Sequence, residues 1–184
     1  RNAARMLSLI GDFLSVSKLE TGTFEAEPGT FDFSAYLAEV VEEFAGVIRQ
    51  QKVAVSLETP TTPATISADR RLLHIVTSNL ISNAIKYTPA MGTVTIAYQV
   101  SGDTVSLRVR DTGIGIPAED QNHLFTKFFR ASNAREHQAE GTGLGLYIVK
   151  QSVEKMGGTV RVQSTVGEGT EFMASFPLTS IAPE

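Results

Sequence analysis

Four short stretches, met in fixed order, constrain this chain more than anything else in it. They are Asn79-Leu-Ile-Ser-Asn83-Ala-Ile-Lys86-Tyr87, Asp111-Thr-Gly113-Ile-Gly115, Leu124-Phe125-Thr-Lys127-Phe128-Phe129-Arg130 and Gly141-Thr-Gly143-Leu-Gly145-Leu146. The first falls in a segment, Asp69 to Lys86, whose apolar Leu72, Leu73, Val76, Leu80, Ile81 and Ile85 recur at helical spacing, which predicts an amphipathic helix. Asn79 and Asn83, four apart, then stack one turn above each other on one face, with Lys86 still within reach. Two neutral carboxamides and one cation line one edge. A carboxamide oxygen is a hard ligand suited to a Mg²⁺ ion that keeps most of its charge for phosphate, and an ammonium meets a phosphate oxygen directly.

The alternation in Thr104-Val105-Ser-Leu107-Arg-Val109-Arg110 predicts a half-buried strand, so Asp111 stands at a strand end. Gly113 and Gly115 let backbone approach a flat ligand, and the neighbouring carboxylate can accept a hydrogen bond from an exocyclic amine such as adenine N6. Gly113-Ile-Gly115-Ile-Pro-Ala118 also matches the permissive form of the dinucleotide fingerprint. That rival requires an acidic residue on a second strand about 20 residues later, whereas Ala131 to Glu140 is polar and carries no strand pattern. The fourth stretch sets glycines at alternate positions directly before Leu146-Tyr-Ile-Val-Lys150, the opening of a helix ending near Gly157-Gly158. Free backbone N–H groups and the positive end of the helix dipole make such a junction a cradle for polyphosphate. It is not a Walker loop, because Gly-x-x-x-x-Gly-Lys-Ser/Thr occurs nowhere in the chain.

In this order and spacing the stretches resemble the N, G1, F and G2 boxes of the catalytic domain of sensor histidine kinases, over roughly Phe31 to Leu178. The Lys86-Tyr87-Thr88-Pro89 ending, the Phe-rich third box and the Gly-Thr-Gly-Leu-Gly-Leu form of the last favour that branch over gyrase, Hsp90 and the mismatch-repair clamps. The resemblance implies an α/β fold, an α+β sandwich of the Bergerat ATPase type, with a mixed sheet of about five strands under three helices and a helical remnant in front. It implies ATP and Mg²⁺ as cofactors, with Asn83 as the metal ligand and Asn79 facing the phosphates or the metal. Lys86 is assigned to phosphate, Tyr87 to adenine packing and Asp111 to the adenine amine, with Gly113, Gly115 and Ile116 shaping the base pocket. Phe125 and Phe128 are expected to anchor a lid from about Pro117 to Glu140. Arg130 reaches the γ-phosphate, and Lys127 is a lesser candidate for that task. Gly141, Thr142, Gly143, Leu144, Gly145 and Leu146 wrap the phosphates. Asn83, Lys86 and Arg130 are thus the residues expected to serve catalysis.

Composition fits a compact domain with an appendage: 184 residues, 42% hydrophobic and 20% charged, enough to bury a sizeable core. A net charge of -4 without any basic run argues against nonspecific nucleic-acid binding. The absence of cysteine removes disulfides and thiolate metal sites and fits a reducing compartment. No apolar run approaches the roughly 20 residues of a membrane span, and no signal-peptide pattern opens the chain. A cytoplasmic location without membrane contact is expected for this piece, leaving open whether its parent protein is membrane-anchored.

Arg1 to Leu19 carries Met6, Leu7, Leu9, Ile10, Phe13, Leu14, Val16 and Leu19, an apolar surface broader than a lone short helix needs, and so wants a partner. Ser17-Lys18-Leu19-Glu20-Thr21-Gly22 resembles the end of the second helix of the dimerisation and phosphotransfer hairpin of histidine kinases, which dimerises into a four-helix bundle. Residues 1–22 are therefore read as that helix, 23–33 as a linker turning at Pro28-Gly29, 34–180 as the catalytic domain and 181–184 as a tail. Within the domain the pattern predicts a helix over 34–50 capped by Ser34, strands at 53–57, 65–67, 93–100, 104–110, 158–163 and 170–176, a hairpin at Ser101-Gly102-Asp103, and Asp69 as the cap of the box-bearing helix.

No phosphoacceptor box is present. His74, His123 and His137 lack the acidic and basic companions of such a box and read as ordinary surface or lid residues. The resemblance therefore implies a catalytic domain that passes the γ-phosphoryl of ATP to a histidine on a hairpin supplied by its own missing segment or a homodimer partner, for relay to the aspartate of a response-regulator receiver domain. Two readings of other classes compete: an ATP-binding regulatory module that transfers nothing, and a gyrase- or Hsp90-like clamp ATPase. The second wants a catalytic Glu on the Asn face, and Ile75 to Ser78 supplies none. A serine kinase acting on a sigma-factor system is a nearer cousin, disfavoured by the helical remnant.

Overall fold

The computed structural model describes residues 11, 17, 19–21, 24–61, 64–137 and 141–178. Most of the expected N-terminal helix, the last two residues of the expected domain, 179–180, and the expected tail, 181–184, lie outside the described residues. In chain order the elements are β1 (Pro28–Asp32), α1 (Phe33–Glu43), α2 (Ala45–Gln51), β2 (Ala54–Glu58), β3 (Thr65–Asp69), α3 (Arg70–Tyr87), β4 (Thr93–Ser101), β5 (Thr104–Asp111), α4 (Ala118–Gln121), α5 (Ser132–His137), α6 (Gly145–Lys155), β6 (Thr159–Thr165) and β7 (Gly169–Pro177). The main sheet has five strands in the order β2-β4-β5-β7-β6. Only β2 and β4 run parallel, and the other neighbours are antiparallel. This is the mixed five-stranded α/β sandwich that the motifs imply.

The sheet's alternation separates its two faces. Val94, Ile96 and Tyr98 of β4, Val105, Leu107 and Val109 of β5, and Phe172, Ala174 and Phe176 of β7 are buried under the helices. Period-two patterning puts Ser106, Arg108 and Arg110 on the opposite face. Over the buried face lie α1, through Phe33, Tyr36, Leu37 and Val40, α3, through Leu72, Leu73, Val76, Leu80, Ile81 and Ile85, and α6, through Val149 and Val153. Each fully buried Leu or Ile contributes about 1.5–3 kcal/mol of hydrophobic stabilisation relative to exposure. Most of the apolar face of α3 is thus committed to the core, which leaves Asn79, Asn83 and Lys86 on its partly exposed side.

Asp69 caps α3 as expected, its Oδ1 accepting from the N–H groups of Arg71 at 2.8 Å and Leu72 at 3.3 Å. Its other oxygen accepts from the Glu27 N–H at 2.7 Å. The hairpin turns at Gly102-Asp103, with Ser101 opposite Thr104.

Three expectations need correction. Residues 28–32, placed in a linker, form β1, which pairs antiparallel with β3 in a two-stranded ribbon with Phe31 opposite Ile66. The pairing partner lies more than 30 residues on in sequence, so no local pattern announces it, and Pro28 sits at the strand's first residue, where a missing donor is tolerated. The helix over 34–50 is two helices broken at Phe44 (φ -91°, ψ 0°), and Lys52, in the left-handed region, ends the second. The cap of α1 is Asp32, whose Oδ1 accepts from the Ala35 N–H at 3.0 Å. The helix starts one residue earlier because Phe33 is wholly buried, its ring 4.9 Å from that of Tyr98. Ser34 instead hydrogen-bonds the Tyr98 hydroxyl at 2.7 Å.

Candidate active site

The last turns of α3, the loop after β5, the segment 124–134 and the loop before α6 surround a cavity of about 290 Å³. Of the residues singled out from the sequence, Asn79, Asn83, Lys86, Tyr87, Asp111, Gly115, Ile116 and Arg130 line it, with Gly141, Thr142, Gly143, Gly145 and Leu146 of the glycine loop.

One end is cationic and rich in backbone N–H. A Cβ placed on Gly141 would lie 3.3 Å from the Lys86 Nζ and 3.6 Å from the Arg130 Nε, so two cations from opposite walls converge on the start of the glycine loop. Arg130 is oriented by donating from Nη2 to the Ala134 carbonyl at 3.1 Å. Asn79 donates from Nδ2 to the Ile75 carbonyl at 2.8 Å, which fixes its oxygen toward Gly145. A Cβ there would sit 2.7 Å from Asn79 Oδ1, so a larger residue would have to displace that carboxamide. No side chain caps α6, and the Leu144 N–H just before it is met by Thr142 Oγ1 at 3.1 Å. The remaining N–H groups of its first turn and its dipole favour anionic oxygen.

The other end is apolar around a single carboxylate. Asp111, 6% exposed, closes β5. Its Oδ1 accepts from the N–H of Gly113 at 2.8 Å and of Thr170 at 3.2 Å. Burial pushes its carboxyl above the ordinary carboxylate range, and those two backbone donors offset part of the rise. Ile114, Ile116, Leu124, Leu146 and Phe172 supply apolar walls. The loop after β5, which holds Ile114 and Ile116, is braced from two sides: Ile114 N–H donates to the Tyr87 carbonyl at 3.2 Å and Gly167 N–H to the Ile114 carbonyl at 3.0 Å. Gly115, at φ +68°, lies so close to the β6–β7 turn that a Cβ would stand 2.0 Å from the Thr165 carbonyl oxygen.

The segment 117–137 corrects two assignments. Phe125 does pack inward, edge-on to Phe172 at 6.4 Å between ring centroids. Phe128 does not: residues 122–128 form turns rather than a helix, φ +62° at Phe128 directs its side chain outward, and it is 64% exposed, while Phe129 lines the cavity. Lys127 is likewise absent from the cavity wall. Its Nζ pairs with Glu20 at 2.5 Å and lies 5.1 Å from the centre of the Tyr147 ring. Of the glycine-loop residues, Leu144 turns into the core, and Gly113 acts through its N–H on Asp111. Sequence reasoning missed Asn133, Thr170 and Phe172. Thr170 stands directly opposite Asp111 in the β5–β7 register, a relation invisible without the pairing. His74 is tied to Glu43 at 3.0 Å, and His123 is exposed. Among the described residues no group of three or more His, Asp or Glu is placed to hold a metal, and none of the described helices is long and apolar enough to cross a membrane.

The chain is similar to known proteins over most of its length. The family model for histidine kinase-, DNA gyrase B- and HSP90-like ATPases matches residues 68–180. The sensor histidine kinase RcsC of Escherichia coli K12 is 34% identical over 178 residues, 96% of this chain but 19% of that protein. The chain spans between about a fifth and under a half of the length of such curated relatives, 19% of RcsC and 45% of SenX3 of Mycolicibacterium smegmatis. Among solved structures, full-length ShkA in complex with AMPPNP superposes with a TM-score of 0.82 at 29% identity, over 94% of this chain and 35% of that one. The histidine kinase ThkA, in complex with the response regulator TrrA, gives 0.78 at 25% identity, over 97% and 49%.

Proposed function

We infer, since the chain belongs to the family of histidine kinase-, DNA gyrase B- and HSP90-like ATPases, that it is the ATP-binding catalytic domain of a two-component sensor histidine kinase. It transfers the γ-phosphoryl group of Mg²⁺-ATP to a histidine nitrogen outside this chain, for relay to a response-regulator aspartate. The observation that carries this reading is the polarity of one cavity: Lys86 and Arg130 converge on Gly141 at one end, and a buried carboxylate stands among apolar walls at the other. A triphosphate and an aminopurine fit those two ends in that order. The AMPPNP bound by ShkA and the response regulator bound by ThkA support the ligand and the partner.

The donor set suits magnesium. Mg²⁺ keeps several waters and takes one or two protein oxygens beside phosphate, and the carboxamides of Asn83 and Asn79 on one helix face offer neutral oxygens rather than an anionic cage. Asn83 would hold the ion, which when bound neutralises phosphate charge. Phosphoryl transfer through a loose transition state asks chiefly for position and charge neutralisation. Lys86 and Arg130 do both from fixed walls, and the α6 N-terminus orients the anionic oxygens. The proton of the accepting histidine is handled on the domain that carries it.

The test mixes this chain with the separately expressed histidine-bearing hairpin of its parent protein, Mg²⁺ and γ-labelled ATP. Acid-labile, base-stable label on the hairpin, lost in Asn83→Ala, is expected. ATP binding without label would leave a regulatory module, and turnover without any acceptor would point to a clamp ATPase.

A further inference from the structure

Asn133, on α5, lines the cavity and has one half of its carboxamide engaged. Its Nδ2 donates to the Gly115 carbonyl at 2.8 Å. A carbonyl can only accept, so this bond fixes which end of the amide is nitrogen. The Oδ1 is then buried and without a hydrogen-bond partner, one of two such side-chain atoms among the described residues. A buried acceptor left unpaired is costly and asks for an explanation in ligand or function. The other such atom, Ser152 Oγ, lies on a wholly buried residue of α6 that does not line this cavity.

Where Asn133 stands narrows what it awaits. Its nitrogen holds Gly115, in the loop that walls the carboxylate end. The carbonyl of the next residue, Ala134, holds Arg130, whose Nε lies 3.6 Å from a Cβ on Gly141 at the phosphate end. Asn133 therefore bridges the base wall and the phosphate wall, where the sugar of a nucleotide spanning the cavity must lie. An acceptor needs a donor. ATP near neutral pH offers two kinds, the exocyclic amine of the base and the ribose hydroxyls, and the amine belongs with Asp111 at the buried end. α5 is itself fixed at its start, since Asp120 Oδ2 accepts from both the N–H and the hydroxyl of Ser132 at 2.8 Å.

We propose that Asn133 is the sugar-reading residue of this site, accepting a hydrogen bond from a ribose hydroxyl through Oδ1 while its nitrogen holds the Gly115 loop. This rests on the nucleotide-binding reading above. It makes the lid selective for ribonucleotides over deoxyribonucleotides, a discrimination that none of the four sequence stretches would supply.

The test titrates ATP, 2′-deoxy-ATP, 3′-deoxy-ATP and inosine triphosphate, each with Mg²⁺, into the chain and into Asn133→Ala by calorimetry. In the parent chain one of the deoxynucleotides is expected to bind roughly 3- to 10-fold more weakly than ATP, the worth of one hydrogen bond. In Asn133→Ala that ratio falls to about 1, while the ratio of ATP to inosine triphosphate is unchanged. Asn133→Ser, too short to reach both partners, should level the ratio in the same way and serves if the alanine variant does not fold. A deoxynucleotide penalty equal in parent and variants, or absent from the parent, overturns the proposal. So does loss of base discrimination in the variants with the sugar penalty intact, which would make Asn133 a base reader. If the parent chain binds no nucleotide at all, the underlying reading fails instead.

Discussion

Replacing Asp111 by Asn separates the two things its carboxylate does. The Oδ1 accepts from Gly113 and Thr170 N–H at 2.8 and 3.2 Å, and a carboxamide oxygen keeps both bonds, so the loop should hold its shape. The other position becomes an NH₂ group, a donor where the adenine amine needs an acceptor. Losing one hydrogen bond to a charged partner is worth about 1.5–3 kcal/mol, so ATP should bind about 10- to 150-fold more weakly. Inosine triphosphate carries an oxygen at the same position and gains a donor, so the preference between the two nucleotides should reverse. Burial raises the folded-state pKa of Asp111, which fixes the sign of two further effects. Its contribution to the stability of the unliganded chain is fully present below the unfolded-state value and is lost as pH rises through the raised folded value. Ionised Asp111 therefore weakens the empty domain near neutral pH, and Asp111→Asn should melt no lower than the parent there. ATP affinity in the parent should fall, on acidification, at a pH above the ordinary carboxylate range, and the variant should lack that limb. Calorimetric titrations with both nucleotides, with melting curves across the acid range, check all of this. Equal losses for ATP and inosine triphosphate would refute the assignment of Asp111 as base reader.

Three further outcomes are expected. Lys127→Ala should leave ATP affinity within about 2-fold, since its partners Glu20 and Tyr147 lie outside the cavity and exposed ion pairs contribute little; a loss as large as that of Arg130→Ala would restore it to the phosphate site. Asp69→Ala should destabilise the domain by about 1–2 kcal/mol in denaturant titration. Burial pushes the Asp69 carboxyl up, but the Arg71 side chain and the N–H groups of Glu27, Arg71 and Leu72 hold it below its ordinary value. Its contribution is therefore present above the unfolded value and lost as pH falls through the depressed one, so an acid limb unchanged in Asp69→Ala would contradict this. Leu80→Ala, at a wholly buried position of α3, should cost roughly 3–5 kcal/mol, whereas Asn83→Ala, at a partly exposed position of the same helix, should change stability by under about 1 kcal/mol; similar unfolding midpoints for the two would contradict the placement of the helix.

What the sequence made legible is what local physics decides. The apolar period of α3, the alternation of β5 and the oxygen of Asp69 before a helical run all act within a few residues, and each stands where the pattern puts it. β1 was not legible because Thr30-Phe31-Asp32 is too short to show alternation and gains its identity by lying against β3. Thr170 and Phe172 reach the cavity only because β7 lies beside β5, a neighbour relation set by the sheet as a whole. Lys127 and Phe128 went astray for a backbone reason. Helical spacing would have put Phe125 and Phe128 on one face, but Phe128 turns at positive φ and both side chains leave the cavity. Asn133 carries no motif, and its importance lies in one unpaired oxygen that only the folded lid reveals.

The glycines show why such a site must be tested at its polar side chains. Gly115 is required by the Thr165 carbonyl and Gly143, at φ +72°, by the Phe128 backbone, whether or not a nucleotide is present. A methyl group at either position would push the β5 loop off the β6–β7 turn, or the glycine loop off the Phe128 backbone, and the cavity would lose its shape before any ligand contact was lost. Lost binding in Gly115→Ala would thus report on packing and chemistry together and decide neither. Asn83, Asp111 and Asn133 differ in kind: Asn83 can be truncated on a partly exposed helix side, Asp111→Asn keeps both bonds of Oδ1, and Asn133, whose nitrogen also holds Gly115, is read by ratios between nucleotides, so a change in ligand preference there is a statement about the ligand. Three substitutions read against base, sugar and metal dependence resolve the cavity along its length. The carboxylate end, the lid and the asparagine face should each respond to one part of the nucleotide and to no other.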